Sequence, residues 1–192
     1  MLNDRSSPLS LLQTRRSGRP RDMVAPGPDA AQLDTMLTIA TRTPDHGKLA
    51  PWRFVIVGAD RRDRLAEVIT AAYRAERPQA ARLEIEALES FARQAPSLVV
   101  VLSSPKPESR IPLWEQELSA GAACMNLLHA AHAMGFVAGW LTGWAAYSDA
   151  VRDAFGAAPA RIAGFVFIGS PSQPLEERAR PDLGQTVSHW GG

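Results

Sequence analysis

Residues 115–141 read EQELSAGAACMNLLHAAHAMGFVAGWL, a long helix followed at once by a strand. From Leu118 onward only Ser119, Asn126, His129 and His132 interrupt an otherwise apolar surface, so the helix expected over 115–134 is apolar around most of its circumference. A helix of that kind belongs in the centre of a fold, with neighbours on most sides. Gly135 supplies its stop, and Phe136 to Leu141 then reads as a strand.

The rest of the chain is arranged around this pair. Leu98 to Leu102 is an unbroken β-branched and leucine run, the pattern of a strand buried on both faces, and Phe54–Val57 and Ile162–Ile168 read as two more strands. Residues 61–92 read as two amphipathic helices broken at Pro78, a largely solvated cover over the interior. Leu65, Val68, Ile69 and Ala72 line the first, and Ala81, Ile85, Leu88 and Phe91 the second. Asp29 with Gln32 three residues later forms a capping box, followed by Leu33, Met36, Leu37 and Ala40 at helical spacing up to a stop at Pro44. Residues 8–16 read as a short helix with Leu9, Leu11 and Leu12 inward. Ser148 caps another that runs to Phe155 and ends at Gly156. Four strands separated by helices, with no tight hairpins, predict an α+β fold: a mixed central sheet with helices on its faces. No linker divides residues 1–192, so a single domain is expected.

Composition narrows the function. The 21 basic residues against 20 acidic ones leave a net charge of +1, which argues against a general binder of nucleic acid or of membrane surfaces. Cys124 is the one cysteine, so no internal disulfide or multi-cysteine metal site can form, and its expected role is that of a small buried hydrophobe. Neither a signal-peptide core nor a membrane-spanning run is visible, and the expected compartment is the cytoplasm.

The usual chemical fingerprints are missing. There is no GxxxxGK[ST], no GxGxxG, no HExxH and no GxSxG. His129 and His132 could share a metal at their i, i+3 spacing, but with no acid on that face they read better as polar positions on a buried helix, and no metal is expected. Arg15-Arg16-Ser17 has two readings: cations closing a helix C-terminus, or a phosphate clamp of guanidinium forks and a hydroxyl.

Further segments stand in a fixed order after this triplet. They are Arg42-Thr43-Pro44-Asp45-His46, Pro51-Trp52-Arg53-Phe54, Trp114-Glu115-Gln116-Glu117, Gly139-Trp140-Leu141-Thr142-Gly143, and Gly164-Phe165-Val166-Phe167-Ile168-Gly169-Ser170-Pro171. The ordered set resembles the nitroreductase family, in particular its minimal bacterial NAD(P)H nitroreductases, from about Leu9 to Trp190. That resemblance implies an intertwined homodimer with an FMN at each subunit interface. It places Arg15, Arg16 and Ser17 on the phosphate and ribityl side, and Arg42 and His46 beside the flavin of the other subunit. Trp140, Leu141 and Thr142 would run along the isoalloxazine, with a backbone N–H aimed at N5, while Arg178 and Arg180 are candidates to complete the phosphate site. It implies no catalytic side chain, since the chemistry sits at flavin N5, and a ping-pong reaction in which NAD(P)H is the co-substrate and nitroaromatics or quinones are the acceptors. Trp114 could wall the substrate pocket, whereas Trp144 reads as a core or interface aromatic. The alternatives are reductive dehalogenation or flavin fragmentation on the same scaffold, or a non-enzymatic ligand- or nucleic-acid-binding protein using residues 15–21.

Overall fold

The computed structural model describes residues 1–157 and 159–191. Its helices are α1 (Pro8–Thr14), α2 (Ala30–Ala40), α3 (Arg62–Glu76), α4 (Arg82–Arg93), α5 (Leu113–Ala133), α6 (Trp144–Tyr147), α7 (Asp149–Ala154) and α8 (Leu183–Thr186). Its strands are β1 (Met23–Val24), β2 (Trp52–Val57), β3 (Ser97–Ser103), β4 (Val137–Leu141) and β5 (Arg161–Pro171). The hub is β5. One of its edges pairs with β3, and the other is shared by β4, opposite Phe165–Gly169, and β1, opposite Ser170–Pro171. β2 pairs with β3 and ends the sheet.

Every pairing is antiparallel, where the sequence predicts a mixed sheet. The reason lies in how many helices each connection contains. A single helix carries the chain back to the end where the strand began and gives a parallel neighbour. The α3–α4 hairpin crosses the face twice, so β3 returns antiparallel to β2. β1 has no counterpart in the sequence reading, because two residues are too few to show a period.

Both faces of the sheet are covered. On one, Leu98, Val100, Leu102, Phe165 and Phe167 pack under α3 and α4, with Phe91 edge-on to Phe165 and Phe167 at 5.1 and 5.3 Å. On the other, Val99, Val101, Val166 and Ile168 meet Leu33 and Met36 of α2 and Cys124, Leu127 and Leu128 of α5. Alternate residues of β3 thus face different cores, which is why the segment reads as uniformly apolar. Arg62 ties the α3–α4 cover to the sheet. Its buried guanidinium donates to the carbonyls of Val57, Ala92 and Gln94, and burial pushes its pKa down to about 10.

At the capping box, the Asp29 carboxylate accepts from the Gln32 N–H at 2.8 Å and the Gln32 side chain accepts from the Asp29 N–H at 3.0 Å. Asp29→Ala should lower stability by about 1 kcal/mol, seen as a lower urea midpoint with an unchanged slope. α2 closes at Ala40, before Pro44, because the Thr43 hydroxyl donates to the Ala40 carbonyl. Two helix faces differ from expectation. Only Leu11 of α1 is buried, leaving Leu9 and Leu12 exposed, and Ala81 is an exposed cap preceding α4. A seven-residue helix rests on the body along one line only.

Candidate functional site

The site is organised around β4. Gly139 is buried, and a Cβ there would lie 2.7 Å from the Gly18 carbonyl oxygen. The Gly18 N–H donates to the Ala138 carbonyl. Residues 15–18 therefore lie directly on the backbone of β4, an approach that only glycine at 139 permits.

That segment gathers positive charge. Arg15 Nη1 donates to Ser17 Oγ at 3.1 Å, and Arg180 Nη2 donates to the Arg15 carbonyl at 3.1 Å. Arg16 Nε donates to the Glu176 carbonyl at 2.7 Å, and its own backbone is bracketed by the Asn3 amide at 2.7 and 3.0 Å. Arg19 pairs with Glu176, and Arg180 with Glu177. Among the described residues, no carboxylate lies within ion-pair distance of Arg15. Burial first, then the charges of Arg180 and Arg16, hold its pKa below the usual arginine value. The arrangement is a partly buried cationic cradle in which Glu177, paired with Arg180, offsets only part of the positive charge around Arg15. Arg178 contributes a backbone N–H to Glu177.

At the far end of β4, Trp140 lies on the α5 side of the sheet, over Gly164 and near Gly121, and its Nε1 donates to the Ala163 carbonyl at 3.0 Å. Leu141 turns to the opposite core. Thr142 and Gly143, the latter at φ +69°, leave the strand and line a mainly apolar cavity of about 330 Å³ with Tyr73, Leu88, Phe91 and Trp144. Trp144 is part of the wall, edge-on to Tyr73 at 4.8 Å and bonded through Nε1 to Glu76. Trp114 is exposed at the start of α5, and Leu113 and Leu118 are exposed with it.

Arg42 and His46 are placed by α5. Asn126 Nδ2 donates to Thr43 Oγ1 at 2.8 Å and to the Arg42 carbonyl at 3.4 Å; Ser119 Oγ donates to the Pro44 carbonyl at 2.6 Å. His46 Nδ1 lies 2.8 Å from Glu115 Oε2. The loop beyond is strained, with positive φ at Gly47, Lys48 and Ala50, and Asp45 holds it by accepting from the Leu49 and Ala50 N–H groups. The charge of Arg15 acts on His129 and His132, near the other end of α5. At 1.5 Å per residue, Glu115 and His129 stand about 21 Å apart along the helix axis. A single chain thus brings Arg15, Arg16, Ser17 and Arg180 together and holds His46 well away from them.

His132 is fully buried and its Nε2 accepts from the Ala138 N–H at 3.2 Å, which assigns the proton to Nδ1. Burial, with the Arg15 charge second, pushes its pKa down to about 4, and the same causes lower that of His129. Among the described residues, no group of three or more metal-ligating side chains occurs. Cys124 is a buried free thiol, its pKa pushed up to about 12 by burial. Among the described residues, no helix is long and apolar enough to cross a membrane.

Four polar residues at this site go unassigned in the sequence reading. Asn3 gives no signal. Glu115, Ser119 and Asn126 do, since they stand at i, i+4 and i+11 on one face of α5.

Comparison with known proteins gives a consistent result. The sequence matches the model of the Nitroreductase family over residues 12–170. A protein of Haemophilus influenzae named "Putative NAD(P)H nitroreductase" is 34% identical over 174 residues, covering 90% of this chain and 92% of that one. An Escherichia coli K12 protein of the same name, YdjA, is 34% identical over 164 residues, 85% of this chain and 87% of that one. Among solved structures, a nitroreductase-like family protein from Bacillus cereus superimposes with a TM-score of 0.81 at 22% identity, covering 97% of each chain. A nitroreductase from Desulfovibrio desulfuricans in complex with FMN gives 0.73 at 22% identity, covering 96% of this chain and 98% of that one.

Proposed function

The chain belongs to the nitroreductase family, and on that footing we propose that it is an FMN-dependent oxidoreductase that uses NAD(P)H to reduce nitroaromatic or quinone acceptors. The observation that carries this reading is the Arg15 cradle: cations without a compensating carboxylate at Arg15, lying on the strand that leads to Trp140–Thr142. The donor set fits a phosphate dianion, with guanidinium N–H groups from Arg15 and Arg180 and the Ser17 hydroxyl. When bound, FMN accepts hydride from the reduced nicotinamide and passes it to the acceptor. The protein's part is to hold and orient. Arg15, Ser17 and Arg180 grip the phosphate, with Arg16 fixed behind them by Asn3 and Glu176. The end of β4 supports the ring system, and the apolar cavity beside Thr142 shields the acceptor from water.

Two subunits complete each site in this reading. The separation of His46 from the cradle along α5 supports it, since a facing copy can supply what one chain keeps apart. So do the exposed apolar side chains of Leu9, Leu12, Leu113, Trp114 and Leu118. The acceptor is a small molecule, and the buried free thiol of Cys124 fits the reducing cytoplasm. Nucleic-acid binding through residues 15–21 is disfavoured by the near-balanced net charge of +1, without the basic excess that such binding needs.

Purified protein should be yellow or take up FMN, and should bleach anaerobically with NADH or NADPH. With no separate dinucleotide motif in the chain, nicotinamide and acceptor should use one cavity in turn, giving parallel double-reciprocal lines. Sedimentation should show a dimer tightened by FMN, because a ligand touching both subunits is linked to their association. A colourless protein that takes up no FMN would overturn the assignment.

A further inference from the structure

Ser119 and Asn126 of α5, with Asp45, already fix the backbone of residues 42–50. The bond between Glu115 and His46 adds nothing to that placement. It acts on the imidazole alone, and an exposed pair of this kind contributes little to stability. Its effect is on which ring nitrogen carries the proton and how the ring is turned.

We propose that Glu115 is the positioning residue for His46. Its carboxylate accepts the Nδ1 proton, fixes the Nδ1–H tautomer, and leaves Nε2 open as an acceptor for a donor group of the flavin held by the facing subunit. The proposal rests on the cofactor reading given above. Two features of the chain favour it. The imidazole projects from a loop strained at Gly47, Lys48 and Ala50, a conformation retained only where its surroundings over-determine it. The hydrogen bonds that Asp45 accepts from the Leu49 and Ala50 N–H groups, and that Ser119 donates to the Pro44 carbonyl, hold the backbone on both sides of His46, so the ring stays within reach of Glu115. Among a flavin's polar groups the ring N–H and the ribityl hydroxyls can donate, and an unprotonated Nε2 can accept from them.

The test has two independent readouts. Imidazole ¹⁵N spectra of the cofactor-free protein should show the Nδ1–H tautomer at His46. E115Q, whose amide oxygen still accepts, should keep it; E115A should revert to the Nε2–H form that free histidine prefers. In binding titrations E115A should weaken FMN about three- to tenfold, the loss of one hydrogen bond, with E115Q close to the parent. Riboflavin should lose the same factor as FMN, since the donors proposed for Nε2, the ring N–H and the ribityl hydroxyls, are common to both flavins. In an H46A background, removing Glu115 should cost nothing more. An unchanged tautomer in E115A, or FMN affinity in E115A equal to the parent's, overturns the proposal. If the parent takes up no FMN, the cofactor reading fails by itself, and the spectra of the cofactor-free protein still decide whether Glu115 sets His46.

Discussion

Arg15→Ala should weaken FMN binding by about 1.5–3 kcal/mol, roughly ten- to hundredfold, while leaving riboflavin affinity almost unchanged. The difference between the two flavins isolates the phosphate. Arg15 has the Ser17 hydroxyl as its side-chain partner and lies in the field of Arg180 and Arg16, which Glu177 offsets only in part, so it has no ion-pair partner before the ligand arrives. The same field makes a second statement about the cofactor-free protein. Deleting one of three like charges relieves repulsion, so its melting midpoint should hold or rise as the affinity falls. Arg15→Lys keeps the charge and loses the planar fork, and should fall between the two. Equal FMN affinity in parent and Arg15→Ala, measured by fluorescence titration, would remove Arg15 from the site.

The other large effect concerns acid. His132 is neutral in the folded protein, its pKa pushed down to about 4, whereas an unfolded histidine titrates near 6.5. Below pH 6.5 the unfolded chain binds a proton that the folded chain refuses. The group is therefore without effect above pH 6.5, where both states are neutral, and imposes a destabilisation that grows as pH falls towards 4. The gap corresponds to about 3 kcal/mol, and His129, lowered by the same causes, adds to it in the same direction. Urea midpoints followed from pH 7.5 to 4 should fall steeply in the parent. They should fall less in His132→Gln, which cannot take up the proton. Identical slopes in the two proteins would mean that His132 is not the group responsible. Arg15→Ala should also flatten the curve, since the guanidinium is the second cause of the shift.

What the sequence disclosed follows the range of the interactions involved. The Asp29–Gln32 box spans three residues and is legible at once. So is β3, because a run buried on both faces needs no knowledge of its partners. Strand direction is a long-range property, yet it follows from counting helices, and the break at Pro78 already marks the pair whose double crossing makes β2 and β3 antiparallel. Leu9 and Leu12 mislead because an apolar residue in a short helix looks the same whether it faces its own core or another surface. At the site, Arg15, Arg16 and Ser17 are contiguous and visible as a motif. The structure brings Arg180 to Arg15 across 165 positions, a closure that no local pattern encodes. Ser119 and Asn126 stand out in sequence only as interruptions of an apolar helix. Their partners, Pro44 and Thr43, lie 75 and 83 positions away.

The meeting of residues 15–16 with residues 176–180 has a consequence for how the protein is made. A ribosome releases the chain from its N-terminus, so residues 15–16 emerge long before residues 176–180 and wait for their partners. β5 ends at Pro171, by which point the five described strands have all been synthesised. Glu176 and Arg180 come out afterwards, and only then can they bond to Arg16 and Arg15. A chain halted between Pro171 and Glu176 would have every described strand and none of the contacts by which Glu176 and Arg180 hold Arg16 and Arg15 in place.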